Sequence, residues 1–418
     1  MGLKIIHTSD WHLGKKLHNI GLIEEQILFL NWLKDTIINE NIDLLIIAGD
    51  IFDTPHPSAK AIKAYFEFLN DTTSNSDCLI YLISGNHDSG SFLEAPSPFL
   101  EIKNVKVIGS FSSQPSHHVF NISTKNNYSI GLMGFPYFRT RDILDIAKQY
   151  NKPLPKNDSQ LPVYIIETIQ EFIKKSCDHF KKENHLNIFI GHYLFGKYEL
   201  NGTEQGLFLS GVDSIPFSII DERLDYLALG HAHRSQVLKK DPFHAIYSGS
   251  PMKFRFGEKG VKKLARIIIN PEKEINFDWI NIPEFKPIIH IDVNHDNYVN
   301  KIQSTLNKYP KDIKAAISIL FEVDKPTPGI ADKVRDLLAG FSVDIVKIKT
   351  KVKSTNKELI PLSPMNIPST EELFKLFYHQ KFPESKEIPA EILTDFKRLN
   401  SNHDGDPTVP REGATQLL

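Results

Sequence analysis

The sequence predicts an α/β fold, with sheets flanked by helices, followed by a smaller α+β unit and terminal helices. Three observations predict it. Apolar runs of strand length alternate with stretches of helical spacing over the first 110 residues, and the rhythm resumes from about residue 164. The clearest run, Asp43–Ala48, is continuously apolar, as a strand buried on both faces must be. Each run ends in a short polar cluster, and the carboxyl edge of an α/β sheet is where ligands bind.

Taken in order, Leu3–Thr8 reads as a strand ending in Ser9-Asp10-Trp11-His12. Leu22, Ile23, Ile27, Leu30, Leu33, Ile37 and Ile38 recur at helical spacing. Asp43–Ala48 stops at Gly49-Asp50-Ile51-Phe52-Asp53. A helical stretch at Ser58–Asn70 leads to the strand Leu79–Ile83 and then Gly85-Asn86-His87-Asp88. Tyr164–Lys182 reads as a long helix, and Asn187–Ile190 as a strand ending in Gly191-His192. Asp225–Leu229 ends in Gly230-His231-Ala232-His233, and His244–Tyr247 in Ser248-Gly249-Ser250-Pro251.

Near Pro283–Pro287 the character changes. Ile288–Val293, Ala315–Val323 and Val343–Lys349 read as strands, with helices Asn297–Leu306 and Ile330–Leu338 between them. The expected organisation is a first domain over 1–282, a small α+β domain over 283–352 and a Pro-containing linker over 353–368. A helical segment over 369–400 follows, opened by the capping box Ser369-Thr370-Glu371-Glu372, and then a disordered tail over 401–418.

Length and composition agree. At about 150 residues per domain, 418 residues make two to three domains. Hydrophobic residues at 41% and charged residues at 24% exclude a collagenous, wholly disordered or disulfide-stapled chain. The net charge of −2 means that any basic surface is local. Cys78 and Cys177 sit in apolar contexts and read as buried thiols of a reducing compartment. No run of 18 apolar residues exists, and the amino terminus runs straight into a strand, so no membrane contact and a cytoplasmic location are expected.

The polar clusters Asp10-x-His12, Gly49-Asp50-x-x-Asp53, Gly85-Asn86-His87-Asp88, Gly191-His192 and Gly230-His231-x-His233 carry the chemistry. Each alone is an ordinary turn. Together, in this order and each at a strand end, they offer carboxylates, an amide and imidazoles, a set suited to borderline divalent ions such as Mn²⁺, Fe²⁺ or Zn²⁺. No cluster contains a thiolate, which argues against structural zinc. The ligands are too many for one ion. Two ions about 3.5–4 Å apart clamp a phosphoryl group for in-line displacement.

At these motifs the sequence resembles the calcineurin-like metallophosphoesterases, and within them the bacterial nuclease subunits that act beside a long coiled-coil ATPase of SMC type. His7-Thr8-Ser9-Asp10-Trp11-His12-Leu13-Gly14, Ala48-Gly49-Asp50-Ile51-Phe52-Asp53, Gly85-Asn86-His87-Asp88-Ser89 and Tyr247-Ser248-Gly249-Ser250-Pro251 with Phe256-Gly257-Glu258 carry the closer likeness. The resemblance implies a sandwich of mixed sheets flanked by helices, a small capping domain over 283–352 and terminal helices that tether the ATPase. It places one metal on Asp10, His12, Asp50 and His233, and a second on Asp50, Asn86, His192 and His231, with Asp50 bridging. Mn²⁺ is the expected metal. His87 falls at the family's general-acid position, and Asp53 and Asp88 are expected to orient imidazoles. The helices at Ser58–Asn70 and Phe92–Glu101 are expected to pair two protomers.

The activity so implied is a double-strand 3'-5' exonuclease and single-strand or hairpin endonuclease in DNA repair and recombination. ATP would be used by the partner, since this sequence has no Gly-x-x-x-x-Gly-Lys-Ser/Thr loop. Lys15 and Lys16 after the first motif, and Arg139 and Arg255 beside Tyr137, Phe138, Phe254 and Phe256, are expected to meet DNA. The alternatives are a phosphodiesterase or phosphatase for nucleotides or phosphoproteins, and a non-catalytic scaffold, which would show eroded ligands.

Overall fold

The structure, a computed structural model, describes residues 2–124, 128–200, 202, 204, 209–270, 272–310, 313–325, 327–352, 370–382 and 387–401. It forms two compact units, Met1–Lys353 and Ser354–Leu418.

The first unit is built on two six-stranded sheets. One runs, edge to edge, Ile275–Asn281, Lys263–Ile269, Leu3–Thr8, Leu44–Ala48, Leu79–Ile83 and Val105–Ile108. Its last four strands are parallel, and the first two join antiparallel. The other runs Gln236–Lys239, His244–Tyr247, Tyr226–Gly230, Leu186–His192, Ser129–Phe135 and Val119–Ser123, parallel in the middle with an antiparallel strand at each edge.

The continuous apolar strands are explained by burial on both faces. Leu44 and Ile46 join Ile5, Ile188, Ile190 and Ala228 in one core. Leu45 and Ile47 point the other way, into a core shared with Phe29 and Leu33 of helix Ile23–Glu40 and Tyr65 and Phe68 of helix Ala59–Asn75. Helices Thr140–Gln149 and Leu161–Cys177 cover the outer face of the second sheet through Ile146, Ile165 and Phe172. The product is the expected sandwich of mixed sheets flanked by helices.

The structure departs from the sequence reading in three ways. The strands Val105–Ile108, Val119–Ser123, Ser129–Phe135, Gln236–Lys239, Lys263–Ile269 and Ile275–Asn281 and the helix Thr140–Gln149 were not expected. The helix expected over Phe92–Glu101 is two short helices, Gly90–Glu94 and Ser97–Ile102, because Pro96 lacks an N–H and ends the first. The helix expected to reach Lys182 ends at Cys177.

A separate parallel sheet, Ile288–Val293, Ala315–Val323 and Val343–Val352, carries helices Tyr298–Leu306 and Ile330–Leu338 on one face. Ile317, Ile319, Phe321, Ile302 and Val334 form its core. It joins the larger body through Lys286, which bridges Glu25 at 2.7 Å and Asp344 at 3.1 Å, and through Leu22 and Met252 packed on Ile288. In the second unit, helices Thr370–Lys381 and Ala390–Ser401 bring Phe374 and Phe396 into a stack at 4.0 Å. The expected linker lies outside the described residues, as does the expected tail beyond Ser401.

Candidate metal centre

Five loops at the carboxyl ends of Leu3–Thr8, Leu44–Ala48, Leu79–Ile83, Leu186–His192 and Tyr226–Gly230 meet where the two sheets face each other. The first loop is zipped to the second by Asp10 N–H to Gly49 O at 3.0 Å, His12 N–H to Asp50 O at 3.0 Å and Leu13 N–H to Ile51 O at 2.9 Å. Gln26, buried on the first long helix, donates to the carbonyls of Trp11 and His12 and accepts from Gly14 N–H. Trp11 is a core residue that pins the loop between Phe29 and Phe68.

Asp10, His12, Asp50 and His231 all adopt left-handed backbone, with φ between 46° and 92°. Such conformations cost on the order of 1–3 kcal/mol each and persist only where the surroundings impose them. Two glycines permit the close approach: a Cβ at Gly85 would strike the Asp50 carboxylate, and one at Gly230 the Ala48 carbonyl.

The side chains form two groups, Asp10 with His12 and His233, and Asp50 with His192 and His231, all buried. Asp50 lies between them. Its Oδ2 is 3.5 Å from His12 Nε2 and 3.4 Å from His192 Nε2, while its Oδ1 accepts His87 N–H at 2.9 Å. Asn86 Oδ1 stands 3.1 Å from His192 Nε2 and 3.1 Å from His231 Nδ1. All seven residues expected as ligands therefore converge.

The donor chemistry fits cations. His192 Nδ1 faces the Ala48 carbonyl at 2.8 Å and so carries the hydrogen, which in the neutral ring leaves Nε2 as a lone pair. That lone pair faces two more acceptors, Asn86 Oδ1 and Asp50 Oδ2. His12 Nε2 and His233 Nε2 face each other at 3.1 Å, and the buried His231 Nε2 has no hydrogen-bond partner among the described residues. Clustered acceptors of this kind are satisfied by a divalent ion on each side of Asp50.

Electrostatics agree. Burial lowers His12 and His233, and holds His231 down at about 3, so these imidazoles are neutral and able to ligate. Burial alone would lower His192 too, but the Asp50 charge outweighs it and raises it to about 9, so without a cation Nε2 carries a proton in the place a cation would take. Burial would raise Asp50, yet His192 and His12 hold it well below the usual carboxylate range. Asp10 is pushed up to about 7, chiefly by burial. A buried carboxylate in that position calls for a countercharge.

Asp53 accepts from Lys15 Nζ at 2.6 Å and faces His12 Nδ1 at 3.4 Å. Its carboxyl stays low, at about 2, because His12 and Lys15 outweigh burial. The Asp53 carbonyl accepts from His87 Nδ1 at 2.8 Å, which leaves His87 Nε2 directed elsewhere.

Asp88 departs from expectation. Among the described residues it bonds no imidazole but accepts the backbone N–H groups of Ile51, Phe52 and Gly85, tying the second and third loops together. Lys15 is already paired with Asp53 and lies over the Phe254 ring, so its charge is largely offset. Lys16, Arg139 and Arg255 are exposed, whereas Phe138 and Phe254 are core residues.

Sequence reasoning missed Gln26, Ser9 with Ser248, and Glu204, which accepts His233 N–H at 3.0 Å. Each acts across a long sequence separation, so no local pattern signals it. The half-buried Lys262 was missed as well; it donates to His233 O, Ser250 Oγ and Glu258 and fixes the loop that carries His233.

Comparison with known proteins follows the same lines. The family model for calcineurin-like phosphoesterase matches residues 3–235. The SbcD component of the nuclease SbcCD of Bacillus subtilis is 26% identical over 91% of this chain and 93% of its own length. Its Escherichia coli counterpart, also the SbcD component of nuclease SbcCD, is 27% identical over 68% of this chain and 70% of its own. Among solved structures, a dimetal phosphatase from Danio rerio matches 68% of this chain and 97% of its own, at 12% identity and a TM-score of 0.42.

Proposed function

Since the chain belongs to the calcineurin-like phosphoesterase family and is a phosphoester hydrolase with a dimetal site, we propose that its substrate is DNA and that it is the nuclease partner of an SbcC-like coiled-coil ATPase. The observation that carries the reading is the single Asp50 oxygen shared between His12 and His192, with the other ligand side chains gathered around it. Asp10, His12, Asp50 and His233 hold one ion, and Asp50, Asn86, His192 and His231 the other, with Mn²⁺ the proposed metal. When bound, the pair polarises the phosphodiester and supplies the nucleophile.

The chain's own groups do the rest. His87 Nδ1–H is held by the Asp53 carbonyl, which aims Nε2 outward to give a proton to the leaving oxygen. Asp53 fixes the His12 ring, and Asp88 holds the backbone that presents Asp50 and Asn86. Intact ligands argue against a scaffold.

The likeness to the SbcD nucleases supports exonuclease action on duplex ends and endonuclease action on single strands and hairpins, in DNA repair and recombination in the cytoplasm. No helix among the described residues is long and apolar enough to cross a membrane. Helices Thr370–Lys381 and Ala390–Ser401, with Phe377 and Phe382 exposed, suit the tether to the ATPase. Phe99 and Ile102, 76% and 80% exposed on Ser97–Ile102, offer an apolar surface for a second copy.

The deciding experiment digests labelled duplex, hairpin and single-stranded oligonucleotides with Mn²⁺, beside p-nitrophenyl esters. Oligonucleotide cleavage that falls about 10²–10⁴-fold in His87→Ala, with metal content retained, is expected. Ester hydrolysis without DNA cleavage would instead favour a nucleotide or phosphoprotein phosphoesterase.

A further inference from the structure

A groove of about 540 Å³ has His233 and Lys262 in its lining, while its Lys259, Lys263 and Trp279 have no role above. Arg234, Arg255, Lys259, Lys262 and Lys263 line it, together with Trp279, and Glu258 is the carboxylate among its lining residues. Lys262 neutralises Glu258 at 2.8 Å, and Arg234 pairs with Glu199. Among the described residues, Lys259 and Lys263 pair with no carboxylate and the Arg255 guanidinium meets the Gly202 carbonyl alone. The surplus charge is therefore positive and uncommitted.

The antiparallel ribbon explains why the indole is here. Lys263 pairs with Asn281 and Ala265 with Trp279, so Lys263 and Trp279 share one face as diagonal neighbours. Trp279 is half-buried, packed beside Phe277 at 6.1 Å. A tryptophan and cations side by side make a platform for a base and its phosphate, without reading the base's edges.

We propose that this groove seats an unpaired nucleotide of the strand being cut, with Trp279 stacking on the base and Lys259, Lys263 and Arg255 holding the flanking phosphates. The proposal rests on the DNA reading and deepens it: the strand beside the metal centre is held single, and its sequence matters little.

The test uses the full chain in EDTA, which blocks cleavage. Anisotropy is read on a short labelled oligothymidylate and on an abasic strand of equal length. The natural protein binds the base-bearing strand more tightly, by about 5- to 100-fold for one stacked base. Trp279→Ala abolishes that preference, and Trp279→Phe keeps most of it. Lys259→Gln with Lys263→Gln weakens both strands alike and flattens the log–log salt slope by about 1.4. A preference that survives Trp279→Ala, or a salt slope unmoved by the double variant, overturns the groove assignment while leaving the nuclease reading intact. A natural protein that ignores both strands yet hydrolyses a small phosphodiester overturns the nuclease reading itself, and the groove with it.

Discussion

In the loops that carry the seven candidate ligands, Asp10, His12, Asp50 and His231 hold left-handed backbone, and imidazoles, carboxylates and hydroxyls are buried together; from 283 to 352, only Gly329 among the described residues has positive φ, and the buried polar residues are Lys286 and Ser318. The two regions share one chain and one kind of apolar strand. The small sheet spends its interior on Ile317, Ile319 and Phe321, and its stability is that of any packed core. The rim of the large body gives up regular backbone and apolar burial at one place, and the inward-facing neighbours Trp11, Gln26 and Asp88 hold it there. Strain and buried polarity concentrate where the seven candidate ligands gather.

That contrast can be broken at either end. The largest effect is expected from Asp50→Asn, which removes the shared anion. Hydrolysis should fall by about 10³-fold or more, since the ions contribute several kcal/mol of charge stabilisation, and bound metal measured by mass spectrometry should fall with it. Full metal content in that variant would separate the two groups of ligands.

Phe321→Ala empties the small sheet's core beside Tyr298 and His295. A stability loss of about 3–5 kcal/mol is expected in urea titrations, with metal content per folded molecule unchanged. Lost metal would mean that the rim depends on the cap's packing.

Asp53→Asn keeps the shape but weakens the grip on His12. Mn²⁺ affinity by calorimetry should drop about 10–100-fold.

The last effect is a slope. Burial holds His7 at about 3, far below its ordinary value, beside the Tyr226 hydroxyl. The unfolded chain takes up a proton below about 6.5 and the folded one does not, so this stability is complete above that pH and is lost as pH falls toward 3. His7 contributes about 1.4 kcal/mol per pH unit in that window. His7→Gln should flatten the pH dependence of urea midpoints, measured in EDTA, by that amount.

Much of this was legible in the sequence because it depends on short range. The strands Leu3–Thr8 and Leu79–Ile83 are apolar runs closed by polar turns, and the ligands follow them directly. The role of Asp88 was not legible, because carboxylates beside ligand motifs look alike in sequence, while their partners, here three backbone N–H groups, do not show. Lys15 reads as a phosphate contact because its partner Asp53 lies 38 residues away.

The sequence by itself determined the strand runs, the order of the five clusters and the chemical type of each ligand, because period, turn residues and donor atoms are properties of neighbouring residues. Only the tertiary structure decided that the strands divide into two facing sheets, that Lys263–Ile269 returns to pair with Leu3–Thr8, and that one oxygen of Asp50 stands between His12 and His192. Those facts depend on residues as far apart as Leu3 and Ile269, and distance along a chain carries no record of contact until packing sets it.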